Sequence, residues 1–369
     1  MKIVWVASAL TDTRGGALTV TRNLVQGLGE NQQTYIGSCN YMGDMFEQNG
    51  GRYIKSFHGF EPVTIRNWLL IPVSFVLGLW QVIKHRKVYE SADKVVVATA
   101  HTEVFFTIPW IIWWLKKPVI VMNHTGRCPK SLYKSPMKWL MSWVYDRSKV
   151  VFVSQSHLDM WLEHDLVGRQ PEVIYNGTQV SDFTPNIKNH NPLVFGYLGR
   201  IEEEKGLDTL FESLENMVGP MKLKVGGEGK DDQKYKAWTA KIANKNPKIH
   251  IEWPGQVSDT KKFFDSIDCL IFPSKFESFG LVMVEAWERG VPVISSDILA
   301  FVELKSKSNE LERNLVFAAD SALGLSSKML EFIQNNSTYT SQQQQNELHD
   351  IVTKEFSLDK QIQSFKSLL

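Results

Sequence analysis

Short apolar runs recur along the chain and alternate with longer segments whose apolar residues are spaced three and four apart. Such runs are typical of strands buried on both faces of a parallel sheet, and the periodic segments are typical of amphipathic helices. The predicted strands are Lys2–Ala7, Lys94–Ala98, Pro118–Met122, Val150–Val153, Leu193–Tyr197, Lys222–Val225, Ile249–Glu252, Cys269–Phe272 and Val291–Ser295. This alternation predicts an α/β protein with two doubly wound, Rossmann-like domains facing across a cleft.

A polar, proline-bounded segment, Ser181–Pro192, separates the two groups of predicted strands and is typical of an interdomain linker. A chain of 369 residues is also too long for one hydrophobic core. We predict an N-terminal domain over residues 1–185, a second domain over residues 186–352, and a final helix over residues 353–369 that returns to the first domain. The glutamine cluster Gln342–Gln345 is predicted to be a solvated helix surface or loop.

The stretch ESFGLVMVE, residues 277–285, places a carboxylate at each end of a largely apolar run. It joins the predicted strand Cys269–Phe272 to a predicted helix over Leu281–Arg289, so Glu277 should lie in a loop where ligands of open α/β sheets bind. Glu285 falls within the helix and needs hydrogen-bond donors, which the hydroxyls of a sugar or ribose provide. A structural salt bridge for Glu285 and a solvated loop for Glu277 are the alternative.

Two cations follow another predicted strand. Arg200 and Lys205 lie in GRIEEEKGLDTL, directly after Leu193–Tyr197 and before a helix. An arginine can fork onto phosphate oxygens, and a lysine can act there as a point charge. The alternative is a pair of surface cations whose neighbours are Glu202–Glu204.

Glycines mark three places where backbone could approach a ligand. Gly280 precedes the helix after Glu277, where unpaired backbone N–H groups favour an anion. Gly226–Gly229 end a predicted strand, and Gly15 and Gly16 precede a helix predicted to begin near Ala17. The last pair has neither the sequence of a P-loop nor the spacing of a dinucleotide fingerprint.

Two histidines follow predicted strands in the first half of the chain. His124 ends VIVMNH and His101 ends VATAH, so both are expected near the carboxyl edge of the sheet. A histidine at the end of a strand can equally be a structural group.

Five segments of the sequence, taken in their order, connect these candidate residues with one known family. They are VIYNGTQVSDF (173–183), GRIEEEKGLDTL (199–210), VGGEG (225–229), PGQV (254–257) and FPSKFESFGLVMVEAWERGVPVISSD (272–297). Together they resemble the family 4 retaining glycosyltransferases of GT-B fold, whose E-x7-E signature corresponds to Glu277 and Glu285. The resemblance covers the second domain nearly end to end, and in the first domain it rests on Gly15, Gly16 and His124.

The resemblance implies a nucleotide-diphosphate sugar against the second domain. Arg200 and Lys205 would hold the diphosphate, Glu285 would accept hydrogen bonds from the ribose, and Glu277 would orient hydroxyls of the donor sugar. His124 would position the sugar and stabilise charge, because the leaving diphosphate itself deprotonates the acceptor in retaining members. The substrate-binding residues it implies are Gly15, Gly16, His101, Gly227, Val257, Phe279, Gly280, Leu281, Val282 and Glu285. Val257 would lie near the base, and the amides of 279–282 near sugar and phosphate.

No metal or cofactor is expected in addition to the donor. Close members of the family need no metal, and the sequence contains no Asp-x-Asp. The three cysteines, Cys39, Cys128 and Cys269, show no metal-ligand spacing and suit a reducing cytoplasm. The N-terminal run flows into the first predicted strand, so no signal peptide is expected.

The net charge of +1 hides an asymmetry between the halves of the chain. Residues 1–180 carry 19 Lys and Arg against 13 Asp and Glu, and residues 181–369 carry 22 against 27, so the halves differ as about +6 and −5. The basic half is expected to face an anionic partner.

Two stretches of the basic half, Trp68–Ile83 and Val104–Leu115, are unusually apolar but too short to span a bilayer. From Lys116 to Lys149 there are eight Lys or Arg and one acid, interleaved with tryptophan and tyrosine. This pattern favours an anionic membrane surface. No nucleic-acid module accompanies it, so nucleic acid is not expected. Packing of these aromatic residues in the core or a subunit interface is the alternative.

The sequence therefore predicts a cytoplasmic enzyme, peripheral on the inner face of the cell membrane. It would move a sugar with retention from a nucleotide-diphosphate sugar to a lipid-linked saccharide acceptor. Two other readings remain open: a nucleotide-sugar-binding subunit without turnover, and a GT-B isomerase that acts on the nucleotide sugar.

Overall fold

The computed structural model describes residues 1–7, 16–56, 71–98, 105–126, 137–188 and 190–369. The chain divides into two compact units. Unit 1 holds residues 1–176 and 358–369, and unit 2 holds residues 177–357. These bounds differ from the predicted ones at 185 and 352, and the final segment of unit 1 begins at residue 358.

Unit 1 contains a seven-stranded, fully parallel sheet in the order β3-β2-β1-β4-β5-β6-β7. Its strands are β1 Lys2–Ala7, β2 Gln32–Gly37, β3 Arg52–Lys55, β4 Lys94–Val97, β5 Val119–Asn123, β6 Lys149–Phe152 and β7 Pro171–Val173. Its described helices are α1 Gly16–Gly27, α2 Asn40–Gln48, α3 Ile71–Lys84, α4 Arg86–Ser91, α5 Ile108–Trp110 with a π-helical continuation Ile111–Leu115, α6 Met137–Tyr145, α7 Gln155–Leu162 and the last helix of the chain, Leu358–Lys366.

Unit 2 contains a six-stranded parallel sheet in the order β10-β9-β8-β11-β12-β13. Its strands are β8 Val194–Leu198, β9 Met221–Gly226, β10 Ile249–Gly255, β11 Cys269–Phe272, β12 Val293–Ser296 and β13 Val316–Phe317. Its helices are α8 Leu207–Glu215, after a 3-10 turn Glu203–Lys205, then α9 Asp232–Lys245, α10 Thr260–Asp265, α11 Leu281–Glu288, α12 Leu299–Lys305, α13 Glu310–Asn314, α14 Ala322–Gln334, α15 Asn336–Tyr339 and α16 Gln342–Glu355; the last helix of the chain, in unit 1, is α17.

Each sheet has one point where the strand order reverses. In unit 1 this point lies between β1 and β4, and in unit 2 it lies between β8 and β11. Two crossover connections leave such a point in opposite directions, so the loops beyond the carboxyl ends of its two strands leave a crevice for ligands. In unit 2 these loops are residues 199–206 and 273–280, which contain Arg200, Lys205 and Glu277.

All nine predicted strands are present, with ends that differ by at most three residues. The strands that the pattern did not predict are β2, β3, β7 and β13. The helix predicted over Leu281–Arg289 is present as α11. The helix predicted after Lys205 is present as α8, and its apolar residues Leu207, Leu210, Phe211 and Leu214 are buried.

One prediction about a polar segment was wrong, and another was only partly right, because Gln342 and Gln343 are exposed at the start of α16. The proposed linker Ser181–Pro192 is part of unit 2 and is tied to it along its length: Ser181 Oγ donates to Glu288 Oε1 at 2.6 Å, and His190 Nδ1 lies 2.9 Å from Asp268 Oδ1. In the glutamine cluster, Gln344 and Gln345 are buried, because their side chains serve as hydrogen-bond partners of Asn309 and of the Asn186 backbone. Polar composition in both segments reflects internal hydrogen bonds.

Of the predicted apolar stretch Trp68–Ile83, residues 71–83 lie in α3, and residues 68–70 lie outside the described residues. Of the second stretch, Val104–Leu115, residues 108–115 form α5 and its π-helical continuation. Among the described residues, no helix combines the length and the hydropathy needed to cross a membrane.

Candidate functional site

The two loops at the reversal point of unit 2 are in direct contact. Gly206 has φ of +71°, and a Cβ atom there would lie 1.9 Å from the carbonyl oxygen of Pro273. The backbone N–H of Lys275 also donates to the carbonyl of Glu204 at 2.9 Å. Only glycine permits this approach at residue 206, since a side chain would be strained and would overlap the backbone opposite.

Lys205 and Glu277 form an ion pair between these loops. Lys205 Nζ lies 2.6 Å from Glu277 Oε1, and the two side chains are only 16% and 18% exposed. The same carboxylate oxygen accepts from Ser274 Oγ at 3.2 Å. The structure thus brings together two of the predicted residues and adds Ser274, which follows the end of β11 by two residues.

Arg200 is placed differently from Lys205. Its guanidinium is exposed and lies 3.0 Å from Glu202 Oε1 in a surface ion pair. Its backbone is fixed, because the buried Tyr197 hydroxyl donates to the Arg200 carbonyl at 2.7 Å. Burial and the nearby Glu277 carboxylate raise the pKa of Tyr197 well above its usual value, so this hydroxyl remains a donor.

Asp231 holds the start of the 3-10 turn that carries Lys205. Its Oδ2 accepts from the Glu203 N–H at 3.1 Å, and its own N–H donates to the Ile201 carbonyl at 3.3 Å. Asp231 and Tyr197 therefore fix the backbone on both sides of Glu202. Neither was singled out from the sequence, although an acid after the glycines of VGGEG was a usable signal.

The glycine segment after β9 is joined to its neighbours by backbone hydrogen bonds. Gly199 donates to Gly226 at 3.1 Å, and Gly227 donates to Gly255 at 2.8 Å. Gly227 has φ of +128°, and a Cβ atom there would overlap the Gly199 carbonyl oxygen. Val257 follows in the next loop, where its Cγ2 would lie 2.9 Å from a Cβ atom at Gly226. The glycines let three strand ends meet closely.

The helix α11 begins four residues after Glu277. Gly280 is its N-cap with φ of +104°, Phe279 is buried, and Leu281 and Val282 are half-buried in the first turn. The first N–H groups of a helix have no partner within the helix, and the macrodipole there favours negative charge. Glu285 is half-buried in the middle of the same helix.

The predicted residues of the first domain lie in unit 1. Gly16 is the first residue of α1, where a Cβ atom would have open space. His124 directly follows β5, as expected for a residue at the carboxyl edge of the sheet. Gly15 and His101 lie outside the described residues.

His124 is held as a neutral imidazole. Its Nε2 is buried and has no hydrogen-bond partner among the described residues. Burial, reinforced by nearby His157, lowers the pKa of His124 to about 4. A buried, unpaired ring nitrogen of this kind can contact a hydroxyl without carrying charge at neutral pH.

The unit 2 site combines the half-buried cation of Lys205, the carboxylate of Glu277, the hydroxyl of Ser274 and the start of α11. It can bind phosphate oxygens through Lys205 and the α11 amides, and hydroxyl groups through Glu277. Within the described ranges, no group of three or more His, Cys, Asp or Glu side chains is arranged to hold a metal ion.

Two glycosyltransferase family models match consecutive parts of the chain. The model described as Glycosyltransferase Family 4 matches residues 14–182, and the one described as Glycosyl transferases group 1 matches residues 180–349. The chain belongs to the family 4, group 1 glycosyltransferases. The family predicted from the sequence motifs is thereby confirmed.

This glycosyltransferase-family chain is similar to several curated proteins over part of its length. The lipopolysaccharide 1,6-galactosyltransferase of Salmonella typhimurium is 31% identical over 134 residues, which is 35% of this chain and 37% of the relative. The phosphatidyl-myo-inositol mannosyltransferase of Mycobacterium leprae is 26% identical over 62% of this chain and 61% of the relative. The chain thus spans little more than a third of the first relative's length.

Solved structures match the family 4 chain over its whole length. HepE of Anabaena in complex with UDP-glucose has a TM-score of 0.78 at 16% identity, covering 100% of this chain and 98% of that chain. A glycosyltransferase from Rickettsia africae has a TM-score of 0.76 at 18% identity, covering 100% and 97%. With the two parallel sheets, these likenesses confirm the predicted GT-B fold.

Proposed function

We propose that the chain is a retaining glycosyltransferase. It moves a sugar from a nucleotide-diphosphate sugar to a lipid-linked saccharide acceptor in cell-surface polysaccharide or glycolipid synthesis. The observation that carries this proposal is the pair of Lys205 and Glu277, joined at 2.6 Å beside the start of α11 at the reversal point of the unit 2 sheet. One group suits a diphosphate, and the other suits sugar hydroxyls.

The donor is supported by the distribution of charge around this pair. A diphosphate near the α11 amides would gain charge-assisted hydrogen bonds from Lys205 and, with a change of rotamer, from the exposed Arg200. These cations would offset the charge of the leaving diphosphate without a metal. The likeness to HepE, solved with UDP and with UDP-glucose, supports a nucleotide sugar as donor.

Retention is supported by the character of His124. A neutral imidazole whose Nε2 is buried is suited to hold a sugar hydroxyl in position. We propose that the leaving diphosphate takes the proton of the acceptor on the same face of the sugar, so that no side-chain base is needed. Product stereochemistry, read by nuclear magnetic resonance from the anomeric coupling, tests this assignment.

The acceptor is proposed from the chemistry of the relatives. The names of the Salmonella typhimurium and Mycobacterium leprae proteins specify a lipopolysaccharide and a phosphatidyl-myo-inositol. A saccharide on an amphiphilic carrier would be met at a bilayer, and the excess of basic residues in 1–180 suits an anionic one. We therefore place the protein in the cytoplasm, peripheral on the inner face of the cell membrane.

One incubation distinguishes a glycosyltransferase from the two alternatives, a binding subunit without turnover and an isomerase. The full chain is mixed with radiolabelled nucleotide sugars and a membrane extract, and lipid and aqueous phases are then analysed. Transfer of label into the lipid phase is the expected result. Unchanged donor would favour a nucleotide-sugar-binding subunit without turnover, and a converted free nucleotide sugar would favour an isomerase.

A further inference from the structure

The helix α3 buries mainly small and polar residues and exposes large apolar ones, the opposite of an ordinary amphipathic helix. Its buried side consists mainly of small and polar residues: Ser74 and Gln81 are buried, and a Cβ atom at Gly78 would overlap the Phe106 carbonyl. The Gln81 side chain is further bonded to Ser56. Val82 is also buried and Phe75 packs against the unit 1 core, whereas Val73, Val76, Trp80 and Ile83 remain exposed on the outer side.

The outer side carries an apolar stripe. Val73, Val76, Trp80 and Ile83 follow one another at spacings of three and four residues, so they share one face of the helix. They are 48%, 65%, 51% and 52% exposed. A soluble surface seldom places four such residues in a row, and contiguous exposed apolar groups mark interaction sites.

A second element extends this stripe. The Trp110 ring packs against Phe75 of α3 at a tilt of 55°, with ring centroids 4.8 Å apart, and its Nε1 donates to the Phe75 carbonyl at 3.3 Å. Trp113 lies 6.1 Å from Trp110, in the π-helical turn, and is 66% exposed. We call the exposed set Val73, Val76, Trp80, Ile83, Trp113 and Trp114 the tryptophan face.

Cations lie beside the exposed indole rings. Lys84 Nζ is 4.8 Å from the Trp80 ring, and the Arg86 guanidinium is 5.2 Å from the Trp114 ring. Residues 71–89 and 105–126 contain no Asp or Glu, and Glu90, just beyond, is paired with Arg86 at 2.6 Å. Indole beside cation is the arrangement that suits the headgroup level of an anionic bilayer.

We propose that the tryptophan face is the surface by which the protein inserts into an anionic lipid bilayer. The apolar side chains of α3 and the π-helical turn enter the headgroup region, and Lys84, Lys87 and Lys116 remain at phosphate level. This inference extends the proposed function by assigning its membrane contact to particular elements. The sequence favoured a membrane surface for the two apolar stretches together with the basic segment Lys116–Lys149, and the inference assigns the insertion to α3 and the π-helical turn.

Vesicle sedimentation of the full chain, without donor or acceptor, tests the proposal. The parent protein is expected to sediment with vesicles that contain phosphatidylglycerol. The variant Trp80→Ser/Trp113→Ser should lower the partition coefficient at least about tenfold at both low and high salt, because insertion of apolar surface is not screened. Lys84→Glu/Lys116→Glu should lower it at low salt, by about fivefold or more for each charge.

A matched control removes exposed apolar residues from unit 2. Val218→Ser/Leu323→Ser replaces side chains that are 86% and 71% exposed, and it should sediment like the parent. Sedimentation of Trp80→Ser/Trp113→Ser at the parent level would overturn the proposal. A dimer of the parent, seen by light scattering without vesicle binding and dissolved by this variant, would overturn it in favour of a second copy.

The assay also separates this inference from the proposed function. Lys205→Ala, which lies in unit 2, should retain full vesicle binding whatever its effect on sugar transfer. A parent protein that binds vesicles but transfers no sugar would count against the proposed reaction alone. A parent protein that transfers sugar to lipid without binding vesicles would count against the tryptophan face alone.

Discussion

At the scale of single residues, the candidate site depends on two charges that neutralise each other. Lys205 and Glu277 are both mostly buried and lie 2.6 Å apart. A diphosphate at the start of α11 would compete with Glu277 for the ammonium group, and the carboxylate would then be available to sugar hydroxyls. Binding would thereby exchange one charge-assisted contact for another.

Replacement of Lys205 by alanine should weaken binding of a nucleoside diphosphate. Loss of a hydrogen bond to a charged group costs about 1.5–3 kcal/mol, or about 10- to 150-fold in affinity. Titration calorimetry measures the change. Lys234→Ala is the matched control, because Lys234 also pairs with a carboxylate, that of Asp208, but is half exposed on α9. Equal affinities in both variants would remove Lys205 from the site.

The two acids of the E-x7-E signature should separate by ligand. Glu285→Ala should weaken binding of the bare nucleoside diphosphate by about 10- to 150-fold, because the ribose is part of that ligand. Glu277→Ala should leave this affinity within about threefold of the parent and lower sugar transfer. Circular dichroism controls for folding, since Glu285 lies in a helix among buried residues. Identical losses of diphosphate affinity would mean that the ligand is wrongly placed along α11.

His124 should make the stability of unit 1 depend on pH. Its pKa is lowered to about 4 from an ordinary value near 6.5, so the unfolded state binds more protons between these values. The free energy of unfolding should therefore fall as the pH falls from about 6.5 to 4, by about 1–3 kcal/mol from this residue. His124→Gln should flatten the profile in urea titrations, and His250→Gln, at an exposed strand position, should not. A parallel shift of both profiles would contradict the assignment.

At the scale of elements, glycines bring the strand ends of unit 2 together. Gly206 and Gly227 both have positive φ and both face a carbonyl oxygen of a neighbouring loop. The loops that carry Arg200, Lys205 and Glu277 consequently have little freedom to move apart. The site residues lie on short loops, but those loops are fixed by backbone contacts.

Gly206→Ala should destabilise unit 2 and disturb the site. The added Cβ would lie 1.9 Å from the Pro273 carbonyl at a φ of +71°, so strain and overlap add to about 2–4 kcal/mol. Gly219→Ala is the matched control, with φ of +104° and nothing within 4 Å, and should cost only about 1 kcal/mol. Denaturant unfolding gives both values. Similar costs for the two variants would show that the loops do not depend on this close contact.

The sequence predicted the elements that are apolar throughout and missed those whose residues are mixed. Strand β2, QQTYIG, buries Gln33 as a partner of the Trp5 indole, and the edge strand β3, RYIK, has no fully buried residue. Neither segment shows the apolar run that marked the central strands. Their pairing depends on neighbours that are distant in sequence, which a local pattern does not record.

The sequence likewise predicted some residues of the candidate site and missed others. Motifs located Lys205, Glu277 and Gly280, because strand, loop and helix follow from local signals. Asp231, Ser274 and Tyr197 were missed, since an acid, a hydroxyl or a phenol in a loop or strand has no distinctive spacing. Their roles come from contacts at 3.1, 3.2 and 2.7 Å that only the folded chain creates.

At the scale of the whole molecule, the two units have separate cores and separate sheets. Unit 2 contains a buried ion pair, in which Lys305 Nζ lies 2.9 Å from Glu312 Oε1 and both side chains are at most 2% exposed. The same carboxylate oxygen accepts from Trp287 Nε1 and the Val293 N–H, at 3.0 and 3.1 Å. This network joins α11, α12 and α13 to β12.

Lys305→Met should destabilise unit 2 and leave unit 1 unchanged. It leaves a buried carboxylate without its cation, which costs about 3–5 kcal/mol. Adding Glu312→Gln removes the charge while keeping an acceptor for Trp287 and Val293, so the double variant should recover at least half of the loss. Denaturant unfolding with two transitions assigns the effect to its unit. A double variant less stable than Lys305→Met would contradict this account.

The ends of unit 2 meet each other. Thr178 and Ser357 form a parallel bridge, and on the unit 1 side Gln361 donates to Asn176 at 3.3 Å. Residues 177–357 are therefore inserted into unit 1. The first and last residues of this insertion are adjacent, and so are the residues of unit 1 on either side of it. In evolution such an insertion can be replaced by recombination without stretching the remainder. Under the proposed function, a lineage could in this way acquire a new donor preference in a single genetic exchange while it kept the unit proposed to meet the acceptor.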